Sequence, residues 1–182
     1  MSSVQRELVV DKDLQAVWEF VKDMGNWASQ MPGYMSHELL NDNDSVWTLH
    51  VNFGPFARPV VVDVHVTQWV APSQVTFEVK GRSDPFRGSG VFEARKTEAG
   101  TAISLQFGAE GTGSMAKMVS AMVPPVLNGI GDGFSANLAK ALSERLPAER
   151  TPPRGIGLRE FWRYLVQQVL AFVRRNRAPE RR

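Results

Sequence analysis

Three histidines, His37, His50 and His65, are the first residues to weigh for chemistry in a chain of 182 residues that has no cysteine. Asp63 precedes His65 by two positions, and Asn52 follows His50 by two, so in extended backbone each pair shares a face. Two donors spaced this way can grip a metal ion, but zinc sites take three or four protein ligands, and no third is visible. Tyr34, His37 and Glu38 form a second cluster. A carboxylate beside an imidazole and a phenol could do acid–base work. No serine stands in a nucleophile-elbow context, and the absence of cysteine excludes thiolate chemistry. The run "NGIGDGF" at residues 128–134 is rich in glycine. It is no phosphate loop, because no strand precedes it and the Gly-Lys-Ser/Thr ending is missing. The expectation is no catalytic residue, no metal and no cofactor, with acid–base work by Tyr34, His37 and Glu38 as the alternative.

The elements that would position these groups follow from periodicity. Residues 3–10 read as a strand, and Asp11 can cap a helix whose Leu14, Val17, Trp18 and Val21 share one face and which Gly25 ends. Residues 26–34 suggest a shorter helix stopped by Pro32-Gly33. Five segments then alternate strictly: 46–54, 59–69, 73–82, 88–96 and 101–110. Their apolar positions include Trp47, Leu49 and Phe53, then Val60, Val62 and Val64, then Phe77, Phe92, and Leu105 with Phe107. A period of two marks antiparallel strands with one apolar and one wet face. His50, Asn52, Asp63 and His65 fall on the wet faces. A long helical stripe closes the pattern, from a Ser114 cap through Met115, Met118, Val119 and Met122 to Leu127, Ile130, Phe134, Leu138 and Leu142.

The order predicts an α+β helix-grip fold: a curved antiparallel sheet of about six to seven strands wrapped on a long C-terminal helix. Such a sheet either encloses a cavity or is filled by its own side chains. The candidate cavity residues are Trp27, Met31, Tyr34, Trp47, Phe53, Phe77, Phe92, Phe107, Met115, Met118, Met122, Leu127, Ile130 and Phe134. Pro124-Pro125 should kink or break the long helix. Gly129, Gly131 and Gly133 leave it either soft and gate-like or closely packed on the sheet.

The segments "DLQAVWEFVKDMGNWASQMPGY", "NFGPFARPVVVDV", "GSGVFEARKTEAGTAISLQF" and "GTGSMAKM…GFSANLAKAL" resemble the START-like helix-grip (SRPBCC) superfamily, and within it the CoxG family, named for a subunit of carbon monoxide dehydrogenase. The resemblance spans about residues 1–146. It implies a non-catalytic, membrane-associated protein with a deep apolar cavity, carrying an isoprenoid quinone or lipid for a molybdenum-containing dehydrogenase. The residues themselves leave three functions open: a carrier, a recruitment adaptor with a filled core, and a cyclase-like enzyme.

Charge is divided along the chain. Residues 1–150 hold 13 basic and 17 acidic side chains, whereas residues 151–182 hold eight arginines, no lysine and two glutamates. An acidic body with a basic tail points to an anionic partner for the tail, while the lack of a basic face on the body argues against nucleic acid. The expected division is a ligand-binding domain at 1–146, a proline-rich linker at 147–157 and an amphipathic tail helix at 158–182. Leu158, Phe161, Trp162, Leu165, Val169 and Phe172 line its apolar side, with Arg163, Arg174 and Arg175 placed to meet phosphates. That helix could lie on an anionic membrane, dock in a partner's groove, or pack on its own domain or a second copy. Its polar residues interrupt any run long enough to span a bilayer. The N-terminus lacks a signal-peptide pattern, so the expected location is cytoplasmic, at the inner face of the cell membrane.

Overall fold

The computed structural model describes residues 1–53 and 56–144; the expected linker and tail helix lie outside the described residues. Strand β1 (Ser2–Val10) leads into α1 (Leu14–Val21) and α2 (Met24–Ala28). Strands β2 (Tyr34–Leu39), β3 (Asp44–Phe53), β4 (Phe56–Val70), β5 (Gln74–Gly81), β6 (Phe86–Thr97) and β7 (Gly100–Gly111) follow. A 3-10 turn at Gly113–Met115 then opens the long helix α3 (Ala116–Glu144). The seven strands form one open, curved antiparallel sheet in the order β1-β7-β6-β5-β4-β3-β2.

The alternation of apolar side chains sets which face is inside. In β4, Val60, Val62, Val64 and Val66 are all buried, while His65 between them is exposed. Each fully buried valine or leucine contributes about 1.5–3 kcal/mol relative to its exposed state. Asp13, rather than Asp11, caps α1 by accepting a hydrogen bond from the Ala16 amide at 2.7 Å. Asp23 caps α2 in the same way, taking the Gly25 amide at 2.8 Å. Gly25 therefore belongs to the second helix, and α1 ends before it. The two short helices bury Val17, Trp18, Phe20, Val21, Met24 and Trp27 against one end of the sheet.

Three expectations need correction. Tyr34, expected at the end of a second helix over residues 26–34, instead opens strand β2, which pairs with β3 and forms one edge of the sheet. Ser114 lies in the 3-10 turn and does not cap α3. Finally, of the kink or break expected at Pro124-Pro125, the break does not occur: both prolines lie inside a continuous helix. Their rings are exposed, so the carbonyls of Ser120 and Ala121, deprived of helix donors, can be hydrated instead.

The second half of α3 is held tightly. The Arg6 Nε donates to Asp132 Oδ1 at 2.6 Å and Asn137 Nδ2 to the Gln30 carbonyl at 2.9 Å. A Cβ on Gly133 would stand 2.5 Å from Pro32 Cγ, so this glycine serves close packing of the helix on the α2–β2 turn.

Candidate functional site: an apolar cavity under the long helix

A cavity of about 500 Å³ lies between the concave face of the sheet and α3. Its floor is Leu49, Val60, Val62, Val64, Val75, Phe77, Val79, Phe92, Leu105 and Phe107; its roof is Met118, Val119, Met122, Val123, Val126, Leu127, Ile130, Phe134 and Leu138. Phe20, Val21, Trp27 and Met31 close one end. Strand register places this end toward the C-terminal half of β4, because Trp27 stacks edge-on against Trp47 and Trp69.

The two tryptophans on the wall present hydrocarbon to the cavity because their polar atoms are used elsewhere. The Trp27 Nε1 donates to the Val21 carbonyl at 2.8 Å, and the Trp47 Nε1 donates to Ser45 Oγ at 2.9 Å. Ser45 in turn donates to the Glu38 carbonyl at 3.0 Å. With those groups satisfied, the deep end offers no indole donor to a guest.

Rings and glycines shape the floor. Gly90 faces Phe77 on one neighbouring strand and Phe107 on the other, and the two rings lie 6.3 Å apart over it. A Cβ at Gly90 would stand 2.2 Å from the Phe77 ring. The glycine is thus what lets Phe77 lie down on the sheet.

The opposite end of the cavity is polar. Arg58, near the start of β4, reaches across to the β5–β6 turn, where its Nη2 donates to Asp84 Oδ1. Asp84 is only 11% exposed and Arg58 is 57% exposed, so the acid is set inward and the guanidinium lies at the rim. Gly81 permits this arrangement: a Cβ there would lie 2.5 Å from the Asp84 carbonyl and 2.7 Å from the Phe86 ring. Arg58 and Asp84 are the charged residues of the lining, with Ser83 beside them. Met118, more than half exposed on the facing turn of α3, completes the rim.

Among the residues expected at a cavity, Trp27, Met31, Trp47, Phe77, Phe92, Phe107, Met118, Met122, Leu127, Ile130 and Phe134 line it. Tyr34 does not. It begins the edge strand β2, is 37% exposed, and shares a 2.9 Å hydrogen bond with His37 Nδ1. The side chains of Phe53 and Met115 lie outside the described residues. The floor valines and leucines were readable from the same alternation that gave the strands. Arg58 and Asp84 carried no signal, because the pair joins the start of β4 to the β5–β6 turn, and their meeting depends on strand register.

The residues considered for catalysis are scattered over the outside. The Tyr34–His37 pair is apart from the cavity lining, and Glu38 is exposed. His50 is exposed, while His65 Nδ1 meets Asp44 Oδ1 at 2.7 Å across the β3–β4 pair. The Asp44 carboxyl is held below the ordinary carboxylate range, first by its hydrogen bond from Asn41 and then by that from His65. Among the described residues no three His, Cys, Asp or Glu side chains converge as metal ligands, and no helix is long and apolar enough to cross a membrane.

The sequence profile of the CoxG family, described as a subunit of carbon monoxide dehydrogenase, matches residues 7–143. The chain belongs to the CoxG family. Among curated proteins no relative matches it significantly. Solved structures share the fold. A conserved protein from Geobacillus kaustophilus is 18% identical with a TM-score of 0.63, the match covering 78% of this chain and 92% of that one. A START superfamily protein from Mycobacterium smegmatis is 13% identical with a TM-score of 0.62, over 78% and 97% of the two chains. The Zhui aromatase/cyclase from Streptomyces sp. R1128 is 15% identical with a TM-score of 0.58, over 81% and 96%. At these identities the likeness establishes a START-like fold for this CoxG-family chain and nothing finer.

Proposed function

We propose that this CoxG-family protein is a non-catalytic carrier of a hydrophobic small molecule. The observation that carries this reading is the cavity itself: about 500 Å³ of space whose walls are mostly hydrocarbon. At protein-like packing density such a volume suits a guest of roughly 20–25 non-hydrogen atoms. Binding is driven by removing apolar surface from water, at about 25 cal/mol per Å². The polar residues a cyclase would use at the cavity, Tyr34, His37 and Glu38, are outside it, which favours carriage over turnover.

The family name suggests the setting. The protein would serve a molybdenum-containing carbon monoxide dehydrogenase, and an isoprenoid quinone or a lipid would be the cargo. A full isoprenoid quinone exceeds the cavity, so its chain would be only partly enclosed. The arginine-rich segment 158–182 would hold the carrier at an anionic membrane on the cytoplasmic side, with Phe161, Trp162 and Leu165 in the interface and Arg163, Arg174 and Arg175 on phosphates.

Native mass spectrometry of the full-length protein purified from its own host tests the carrier. A discrete added mass matching a quinone or lipid is the expected result. A bare protein mass that stays bare when quinone is offered in micelles overturns it and leaves a recruitment adaptor.

A further inference from the structure

We propose that the Arg58–Asp84 rim is a head-group subsite for an uncharged, carbonyl-bearing amphiphile, bound with its hydrocarbon part inside the cavity and its carbonyl oxygen on Arg58. This assignment rests on the carrier reading and names the class and orientation of the cargo.

Three observations converge on it. First, charge is confined to one end: Arg58 and Asp84 are the charged residues of the lining, and both belong to the rim. At the deep end the indole donors of Trp27 and Trp47 are already engaged by Val21 and Ser45. A carbonyl pushed to that end would be left without a partner, so the guest is oriented head outward.

Second, the guanidinium has capacity to spare. Asp84 takes Nη2, and among the described residues Nε and Nη1 of Arg58 have no other protein acceptor. An arginine has five N–H donors in a rigid fork, so it can hold Asp84 and a second acceptor together.

Third, Asp84 decides the charge of the head. Its carboxylate is set inward at 11% exposure beside the guanidinium. A carboxylate or phosphate head on Arg58 would compete with Asp84 for one cation and face a like charge a few ångströms away. A ketone-type oxygen accepts the free donors without displacing Asp84 and gains a charge-assisted hydrogen bond. The subsite therefore discriminates by charge as well as by shape.

The test uses the full-length protein and the uncharged dye N-phenyl-1-naphthylamine as the cavity probe. Two competitors of matched chain, 2-undecanone and undecanoate, displace the dye at neutral pH, with dye affinity measured separately in each variant. In the unmodified protein the ketone should displace dye at about a tenfold lower concentration than the carboxylate. Arg58→Met should raise the ketone concentration needed by about tenfold, and Arg58→Gln, which keeps an N–H donor, should recover part of that loss. Asp84→Asn should improve undecanoate by about tenfold, because the opposing charge is gone. Undecanoate competing as well as the ketone in the unmodified protein overturns the assignment, as does a ketone indifferent to Arg58→Met. A protein that takes up no dye overturns the carrier reading and the subsite with it.

Discussion

Replacing Val62 by phenylalanine separates an open cavity from a packed core by the sign of its effect. Val62 is 4% exposed, sits in the middle of β4 and faces the cavity. The substitution adds about 50 Å³ of side chain, and cavity volume costs about 24 cal/mol per Å³, so filling it gains up to about 1.2 kcal/mol. Strain in the new rotamer takes back part of this, leaving a net stabilisation of about 0.5–1 kcal/mol. In a core already at close packing, the same change would destabilise by about 1–3 kcal/mol. Urea unfolding of ligand-stripped protein, followed by circular dichroism, reads the difference as a shift in midpoint at constant slope. The ring should also remove room for a guest and weaken binding of an uncharged dye by tenfold or more. A lower midpoint for Val62→Phe with dye binding unchanged would refute the cavity argument.

Other expectations are smaller in scope. Gly90→Ala places a Cβ 2.2 Å from the Phe77 ring, so it should cost about 1–3 kcal/mol in the same urea assay and weaken dye binding by displacing that ring. The depressed folded-state pKa of Asp44 stabilises the fold above its unfolded value of about 3.9, and the contribution is lost as pH falls through the lowered folded value. NMR titration should place the carboxyl below the ordinary value in the native protein, and Asn41→Ala should move it upward more than His65→Ala does. Asp13→Ala removes the acceptor of the Ala16 amide and should destabilise by about 1 kcal/mol in thermal unfolding. In flotation with anionic vesicles, the full chain should rise with the lipid and a chain ending at Arg150 should not; equal behaviour of the two would refute membrane attachment by the tail.

Strands β3 to β7 were legible because each alternates around a sheet with one dry face, so period two survives in the sequence. The edge strand β2 was not. Its burial is shallow throughout, with Met35 and Leu39 about half exposed, and a register shift between Tyr34 and Ser36 breaks the alternation. The roof of the cavity was legible in the methionine and leucine stripe of α3, since helical period is local. Whether α3 would survive Pro124-Pro125 was not, because that depends on which way the freed carbonyls face. The rim pair was the least legible feature. Arg58 and Asp84 are 26 residues apart, and only the extension of the β3–β4 hairpin beyond the end of β5 brings them together.

The ring cluster around Trp27 has an optical consequence. Trp18, Trp69, Trp27 and Trp47 form a chain of edge-to-face pairs with centroids 6.0–6.1 Å apart. At such separations indoles exchange excitation far faster than they emit. Light absorbed at Trp18 on the first helix is therefore shared with Trp27 and Trp47, the two members that touch the cavity. An electron-accepting guest against either ring would darken the whole chain, so the protein carries its own antenna for whether the cavity is occupied.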